Sequence, residues 1–406
     1  MNEQGVVVEL DLVQTVAVAL AVLFMGYLLN RFIPFLRNYN IPEPVVGGIA
    51  FALLNSLVYG VLDVSLTFDM TLKSPLMLTF FTTVGLGASL KLLAKGGPKV
   101  FLFLLVASLY LVFQNATAVA MALAADLHPI QGLLTGSITL SGGHGTGATY
   151  ADIFSGVNNL QGAMELAMAS ATFGLVLGGL LGGPVTKRLI DKHGLKPSES
   201  AEEQTLDVTY SPDDQDRVTP RRMMETLLII VVCISLGTLI YKYFRSVGIT
   251  VPSFICSLFL GMAITNFLDA TKWYTVNKET VDQWGTMGLS VFLAMALMSL
   301  RLWELLNLAG PMLLILAVQT VGMALFAYFV TFRIMGRDYD AAIMAGGHCG
   351  FGLGATPTAV ANMEALVARY GASPQAFLVV PMVGAFFIDI TNALVIQLYL
   401  ALPFVQ

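Results

Sequence analysis

Stretches of about twenty apolar residues recur along this chain, parted by short polar or charged joins. No other feature limits its folding choices so sharply. Of its 406 residues, 56% are hydrophobic and only 12% are charged, against about 25% charged in soluble domains. A water-soluble core cannot hide that much apolar surface. The expected class is an all-α polytopic membrane protein. Ten runs are long enough to span: 12–32, 44–62, 75–93, 99–124, 161–185, 223–244, 250–268, 285–303, 309–334 and 375–401. Glu3, Glu9 and Asp11 precede the first run, where a signal peptide would carry positive charge. That run is therefore expected to stay as a span.

Between the fifth and sixth runs lies a charged stretch with Pro and Ser, 187–222, read as a cytoplasmic linker. It parts an N-terminal repeat, 1–186, from a C-terminal repeat, 223–406. Threading the spans with the N-terminus outside places Arg31, Arg37, Lys91, Lys95, Lys99, Lys272, Lys278, Arg333, Arg337, Arg369 and the linker cations inside. Only Lys73, Lys242, Arg245 and Arg301 fall outside. That asymmetry is what the positive-inside rule expects. Both termini then lie in the periplasm.

The halves look related. "SLKLLAKGGP" at Ser89–Pro98 parallels "SLRLWELLNLAGP" at Ser299–Pro311. Gln114 stands 30 residues before His144, and Gln319 stands 29 before His348. Pro44 and Pro252 each open the second span of a half. Five spans per half is an odd number, so the halves insert with opposite topology, as inverted repeats of carriers do.

"SGGHGTGAT" at Ser141–Thr149 and "GGHCGFGLGAT" at Gly346–Thr356 interrupt this apolar background. Non-helical backbone at membrane depth survives only where protein or a water-filled cavity surrounds it. The two stretches therefore read as re-entrant hairpins, the first over 130–155 entering from outside, the second over 338–362 entering from the cytoplasm. Their tips are expected to approach near the midplane. Free N–H groups at short-helix ends favour a carboxylate. Carbonyls and hydroxyls at broken backbone can hold sodium. Glycines that serve only tight helix packing are the competing explanation.

The stretches "SITLSGGHGTGATYADIF" (137–154), "ATFGLVLGGLLGGPV" (171–185), "SVFLAMALMSLRLWEL" (290–305), "DAAIMAGGHCGFGLGATPTAVANMEA" (340–365) and "FLVVPMVGAFFIDITNALVIQLYL" (377–400) resemble the glutamate:sodium symporter (ESS) family over nearly the whole chain. Ala345 departs from the first half, which has Ser141. The resemblance implies sodium-driven uptake of L-glutamate through the bacterial inner membrane. By analogy with structurally similar carriers, it also implies a homodimer in which a hairpin-bearing core moves against a scaffold, an elevator-type carrier. L-glutamate, sodium ions, membrane lipid and a second copy are the expected partners. Nucleic acid is not among them, sodium is the coupling ion, and no cofactor is expected.

Substrate contacts are expected from Ser141, Gly142, Gly143, His144, Thr146, Gly346, Gly347, His348 and Thr356. Sodium ligands are expected from Thr149, Thr358, Asp389 and Asn392. Each hydroxyl can equally satisfy local backbone, and each histidine can brace its hairpin rather than meet substrate. Gln114 and Gln319, buried amides that need partners, read as hairpin supports. Glu165 and Arg301 read as interfacial, Glu364 and Arg369 as lining the cytoplasmic mouth, and Trp273, Trp284 and Trp303 as belt anchors. Cys233, Cys256 and Cys349 form neither a disulfide framework nor a metal pattern. No enzyme motif appears. A carrier of another dicarboxylate or hydroxycarboxylate, and less so an ion channel, are the alternatives.

Overall fold

The computed structural model describes residues 6–38, 41–62, 64–91, 97–158, 160–197, 218–247, 251–298 and 309–405. Arg301, Trp303, Lys95, most of the 299–311 repeat segment and 198–217 of the linker lie outside the described residues. Helices dominate. One parallel strand pair, β1 (Val6–Leu10) with β2 (Val64–Phe68), is the exception, with Val6 opposite Val64. The valines of β1 and Val64, Thr67 and Phe68 of β2 are residue types that favour strands.

In the first half, α1 (Leu12–Phe32), α2 (Glu43–Leu62) and α3 (Lys73–Gly87) come first. Asp11 starts α1 with a capping box: its Oδ1 accepts from the Gln14 N–H at 2.8 Å, and Gln14 Oε1 accepts from the Asp11 N–H at 3.1 Å. A long helix, α4 (Gly97–Ala124), follows. Next come three short pieces, α5 (Pro129–Leu134), α6 (Ser137–Leu140) and α7 (Gly143–Val157). The half closes with α8 (Ala163–His193).

The second half opens with α9 (Pro220–Ser246), α10 (Ser253–Thr271) and α11 (Lys278–Leu297). The long helix α12 (Ala309–Ile334) has a π-turn at Ala327–Thr331. A broken pair, α13 (Tyr339–Leu353) and α14 (Thr356–Tyr370), comes next. The last is α15 (Pro374–Met382), a π-turn Val383–Phe387, and α16 (Ile388–Leu400). Pro381 lacks the N–H that would continue the ladder, and the helix bends by 47° across this region.

Among the described residues, six helices are long and apolar enough to cross a membrane: α1, α4, α8, α9, α10 and α12. The bent α15–α16 pair makes a seventh if it counts as one span. Helices occupy the other expected positions with shifted bounds. The third stops at Gly87, short of 93. The eighth begins early, at Lys278, because Asn277 caps it through Oδ1 to the Thr280 N–H at 2.9 Å. Helix α8 runs to His193, into the stretch read as linker, and ends where Gly194 turns left-handed at φ 60°. Glu165, expected at an interface, is buried in the first turn of α8.

Packing sorts these elements into two bodies. Helices α1, α2, α3, α9, α10 and α11 pack on one another. Helices α4 to α8 pack with α12 to α16. Between the bodies the main approaches are α7 to α11, α16 to α10, and the 383–387 π-turn to α3. Lys73 on α3 also reaches Asp152 on α7, Nζ to Oδ1 at 2.5 Å. Within the first body, small residues set the spacing. A β-carbon on Gly85 would overlap the Leu258 carbonyl, and one on Gly261 would press on the Thr82 carbonyl at 2.7 Å. Small residues at such crossings let apolar helices approach closely where lipid offers no hydrophobic drive.

Gly85→Leu is expected to destabilise the detergent-solubilised protein by at least about 1–3 kcal/mol, the usual cost of overpacking. An unchanged melting temperature would contradict this close crossing.

Candidate functional site

The two broken pairs meet inside the second body. In the first, Gly136 interrupts the ladder between α5 and α6, and Gly142 does so between α6 and α7. Gly143 sits at φ 65°, a left-handed conformation that glycine adopts without strain. In the second, Gly354 and the extended Ala355 separate α13 from α14. A β-carbon on Gly143 would lie 3.9 Å from the Gly354 carbonyl oxygen, so the breaks face each other.

Side-chain amides replace the missing backbone bonds. Gln114 Nε2 on α4 donates to the Gly352 carbonyl at 2.9 Å, and Gln114 Oε1 accepts from Ser141 Oγ at 2.7 Å. Ser141 Oγ also lies 3.1 Å from the Gly352 carbonyl oxygen. Gln319 Nε2 on α12 donates to the Gln114 carbonyl at 2.7 Å. Asn115 Oδ1 accepts from the Ser137 N–H at 2.9 Å, and Asn392 Nδ2 on α16 donates to the Ser137 carbonyl at 3.0 Å. All four amides are buried. A buried backbone group left unpaired would cost about 1–3 kcal/mol. Gln114 thus supports the breaks, as its mid-helix position suggested, whereas Gln319 reaches the backbone of α4 at Gln114 instead. Asn115 and Ser137 were missed. The adjacent "QN" inside an apolar helix was the available signal for Asn115.

The expected site residues divide. Ser141, Gly142 and Gly143 lie at the first break, with Asn392 beside Gly142. Thr146 is buried one turn on. His144 Nε2 lies 3.0 Å from Thr172 Oγ1 on α8. Thr149 Oγ1 donates to the Gly145 carbonyl at 2.9 Å in its own helix. Thr356 opens α14, and Thr358 is buried with its Oγ1 unpartnered. Asp389 is part-buried in the first turn of α16 and has no hydrogen-bond or ion-pair partner among the described residues.

Gly346, Gly347 and His348 are placed differently from the expectation of a hairpin tip. They lie inside α13, and the break comes later, at Gly354–Ala355. Here the glycines serve packing. A β-carbon on Gly346 would strike Thr186 on α8, and one on Gly347 would press on Met363 and Val380 at 2.9 Å. His348 is fully buried, with Nδ1 2.9 Å from Thr331 Oγ1 in the π-turn. Its ring stacks on Phe351 and meets Phe103, Tyr110 and Phe326 edge-on.

A cavity of about 800 Å³ lies between the two bodies. Phe80, Thr83, Val84 and Gly87 of α3 and Asp282, Gly285 and Thr286 of α11 form one wall. Thr356, Pro357, Val360, Ala361 and Glu364 of α14, with Ala385, form the other. The N-terminus of α14 therefore opens into this space, and the methyl of Ala355 offers no acceptor to cap it. First-turn N–H groups carry partial positive charge, which suits a carboxylate. Glu364 lines the cavity, and Arg369, expected with it, is not among its lining residues. His144 and His348 do not line it, nor do Gly346 and Gly347.

Spanning helices, two broken pairs that meet in one packed body, and a cavity between that body and its neighbour define a polytopic membrane protein of the carrier class. The profile of the family described as sodium/glutamate symporter matches residues 8–372. The sodium/glutamate symporter of Escherichia coli (strain K12) is 49% identical over 396 residues, covering 97% of this chain and 98% of that protein. The sodium/glutamate symporter of Haemophilus influenzae is 46% identical over 391 residues, covering 96% of each. The chain belongs to the sodium/glutamate symporter family.

Gln114→Leu is expected to loosen both breaks. Amide exchange in peptides covering 137–144 and 352–358 should rise by an amount matching about 1–3 kcal/mol of lost protection. Equal protection in variant and parent would show that the amide bridge carries no strain-bearing role.

Proposed function

We propose that this chain imports L-glutamate across the bacterial inner membrane together with sodium, by alternating access. The observation that carries the reading is the uncapped N-terminus of α14, with Thr356, opening into a cavity between two separately packed bodies. Family membership over nearly the whole chain agrees with it. A substrate carboxylate seated on α14 gains the helix-end charge and the Thr356 hydroxyl. Ser141, Gly142, Gly143, His144 and Thr146 hold the opposite break in place beneath it. Thr149, Thr358, Asp389 and Asn392 supply oxygen to sodium. Gly346, Gly347 and His348 shape α13, a reading supported by their place inside that helix and against α8, α14 and α15.

Ten spans in two inverted repeats, with the N-terminus outside, put the ends of α3 and the start of α11 on the cytoplasmic side. The cavity then opens inward, and the Lys73–Asp152 pair lies on the far side. Movement of the hairpin-bearing body past α3, α10 and α11 would carry the site across, an elevator motion, with the first body as the natural place for contact with a second copy and with lipid. Sodium and substrate must both favour the same closed state, because a ligand shifts only equilibria it binds differentially. Glutamate carries one net negative charge. Against an inside-negative potential of about 100 mV its entry alone costs roughly 2.3 kcal/mol. Two or more sodium ions reverse that sign.

In proteoliposomes, labelled L-glutamate uptake should vanish when sodium is replaced by choline and should quicken when an inside-negative potential is imposed. Uptake that ignores sodium would refute the reading. A cleavable bifunctional thiol cross-linker joining Lys73→Cys to Asp152→Cys should arrest uptake and release it on cleavage. Full uptake with the link formed would mean that the bodies need not part there.

A further inference from the structure

Three buried polar atoms around one backbone unit have no hydrogen-bond partner: Ser137 Oγ, Asn392 Oδ1 and Asn115 Nδ2. Their residues are at most 1% exposed. The backbone bonds described above fix both amides. Because Asn392 uses Nδ2 on the Ser137 carbonyl, its Oδ1 points elsewhere. Because Asn115 uses Oδ1 on the Ser137 N–H, that N–H cannot serve Asn392. Two acceptor oxygens are thus left bare beside the same residue. One helical turn earlier than Asn392, on the same face, Asp389 brings a carboxylate that has no partner among the described residues.

The surrounding sequence keeps this arrangement open. A β-carbon on Gly136 would lie 2.7 Å from Asn115 Oδ1, and one on Gly142 would lie 2.8 Å from Asn392 Nδ2. Either would push an amide off Ser137. A buried acceptor without a donor is costly, and an uncompensated carboxylate at membrane depth more so. Water could satisfy the two neutral oxygens. It would not neutralise Asp389. A monovalent hard cation answers the two neutral oxygens and Asp389 together, since such ions take neutral and anionic oxygen; the Asn115 Nδ2 donor is not met by it.

We propose that a sodium ion sits on Ser137 Oγ, Asn392 Oδ1 and the Asp389 carboxylate, with Asn115 as a positioning residue that holds Ser137 in place. This rests on the sodium-coupled reading above and deepens it. Ser137 is a ligand that the repeated glycine motifs do not contain. The ion joins α6 of the first half to α16 of the second. It therefore orders the short segment that ends at Ser141, whose hydroxyl reaches Gln114 and the Gly352 carbonyl at the foot of the second break. Ion binding and the readiness of α14 then share one segment, and each must strengthen the other.

The test uses the full-length protein, first without glutamate. Melting temperature is followed as sodium chloride replaces choline chloride at constant ionic strength. Sodium should raise it in the parent. Ser137→Ala should need about tenfold more sodium for the same gain, the scale on which metal affinity answers the loss of one supporting group, and Ser137→Thr should behave as the parent. In proteoliposomes, the sodium concentration giving half-maximal glutamate counterflow should move by the same factor, with the glutamate KM at saturating sodium little changed. If Ser137→Ala does not fold, Asn392→Ser is measured in the same way. A folded variant of either kind with the parent's sodium dependence overturns the proposal, and a lower melting temperature in choline alone would assign the place to water. Sodium-independent uptake by the parent would instead remove the coupling on which the proposal stands. Sodium-dependent uptake with indifferent variants removes only this seat.

Discussion

A helix broken inside a membrane leaves N–H and C=O groups that lipid cannot satisfy. That constraint organises this molecule. The broken segments lie where three carboxamides reach them, from Gln114, Asn115 and Asn392, while Gln319 holds the Gln114 carbonyl within α4. These come from α4, α12 and α16, so elements distant in sequence must dock before either break is stable. Buried polar side chains occur in both bodies, as at Thr82, Ser257 and Thr280, but the carboxamides of Gln114, Asn115 and Asn392 gather at the broken segments.

The second organising feature is the partition into two bodies. Each half gives its first three helices to one body and its remaining elements to the other. Glycine-to-carbonyl crossings make the first body tight, as at Gly85 and Gly261. Contacts between the bodies are fewer and include one ion pair, Lys73–Asp152. Interfaces within a chain that are limited in extent permit relative motion by default. The cavity between them is where such motion would expose or close a ligand.

Much of this was legible in the sequence. Apolar run length gave the helices, because a period-free apolar stretch of about twenty residues has few alternatives. Glycine and polarity together marked both broken segments, and an amide inside an apolar helix marked Gln114 as a support, while Gln319, marked in the same way, braces α4 instead. The position of the second break was not legible. Gly346–Gly347 and Gly354 look alike in sequence, yet the first two are needed where α13 presses on α8, α14 and α15, and only the last, followed by an extended residue and Pro357, ends the helix. Nor could the sequence reveal that Ser137 is clamped from both sides. That depends on α4 and α16 crossing at one point, a tertiary fact with no local signature. The early start of α11 was readable in principle from Asn277, but apolarity pulled the expected boundary past Lys278 and Asp282.

One hydroxyl, Ser141 Oγ, lies within bonding range of both Gln114 and the Gly352 carbonyl. It fastens the two interruptions to a common strut. Neither flap can peel back alone without stripping a polar atom bare in a dry interior. The two interruptions are thus coupled through one side chain, so a shift of either is felt at the other.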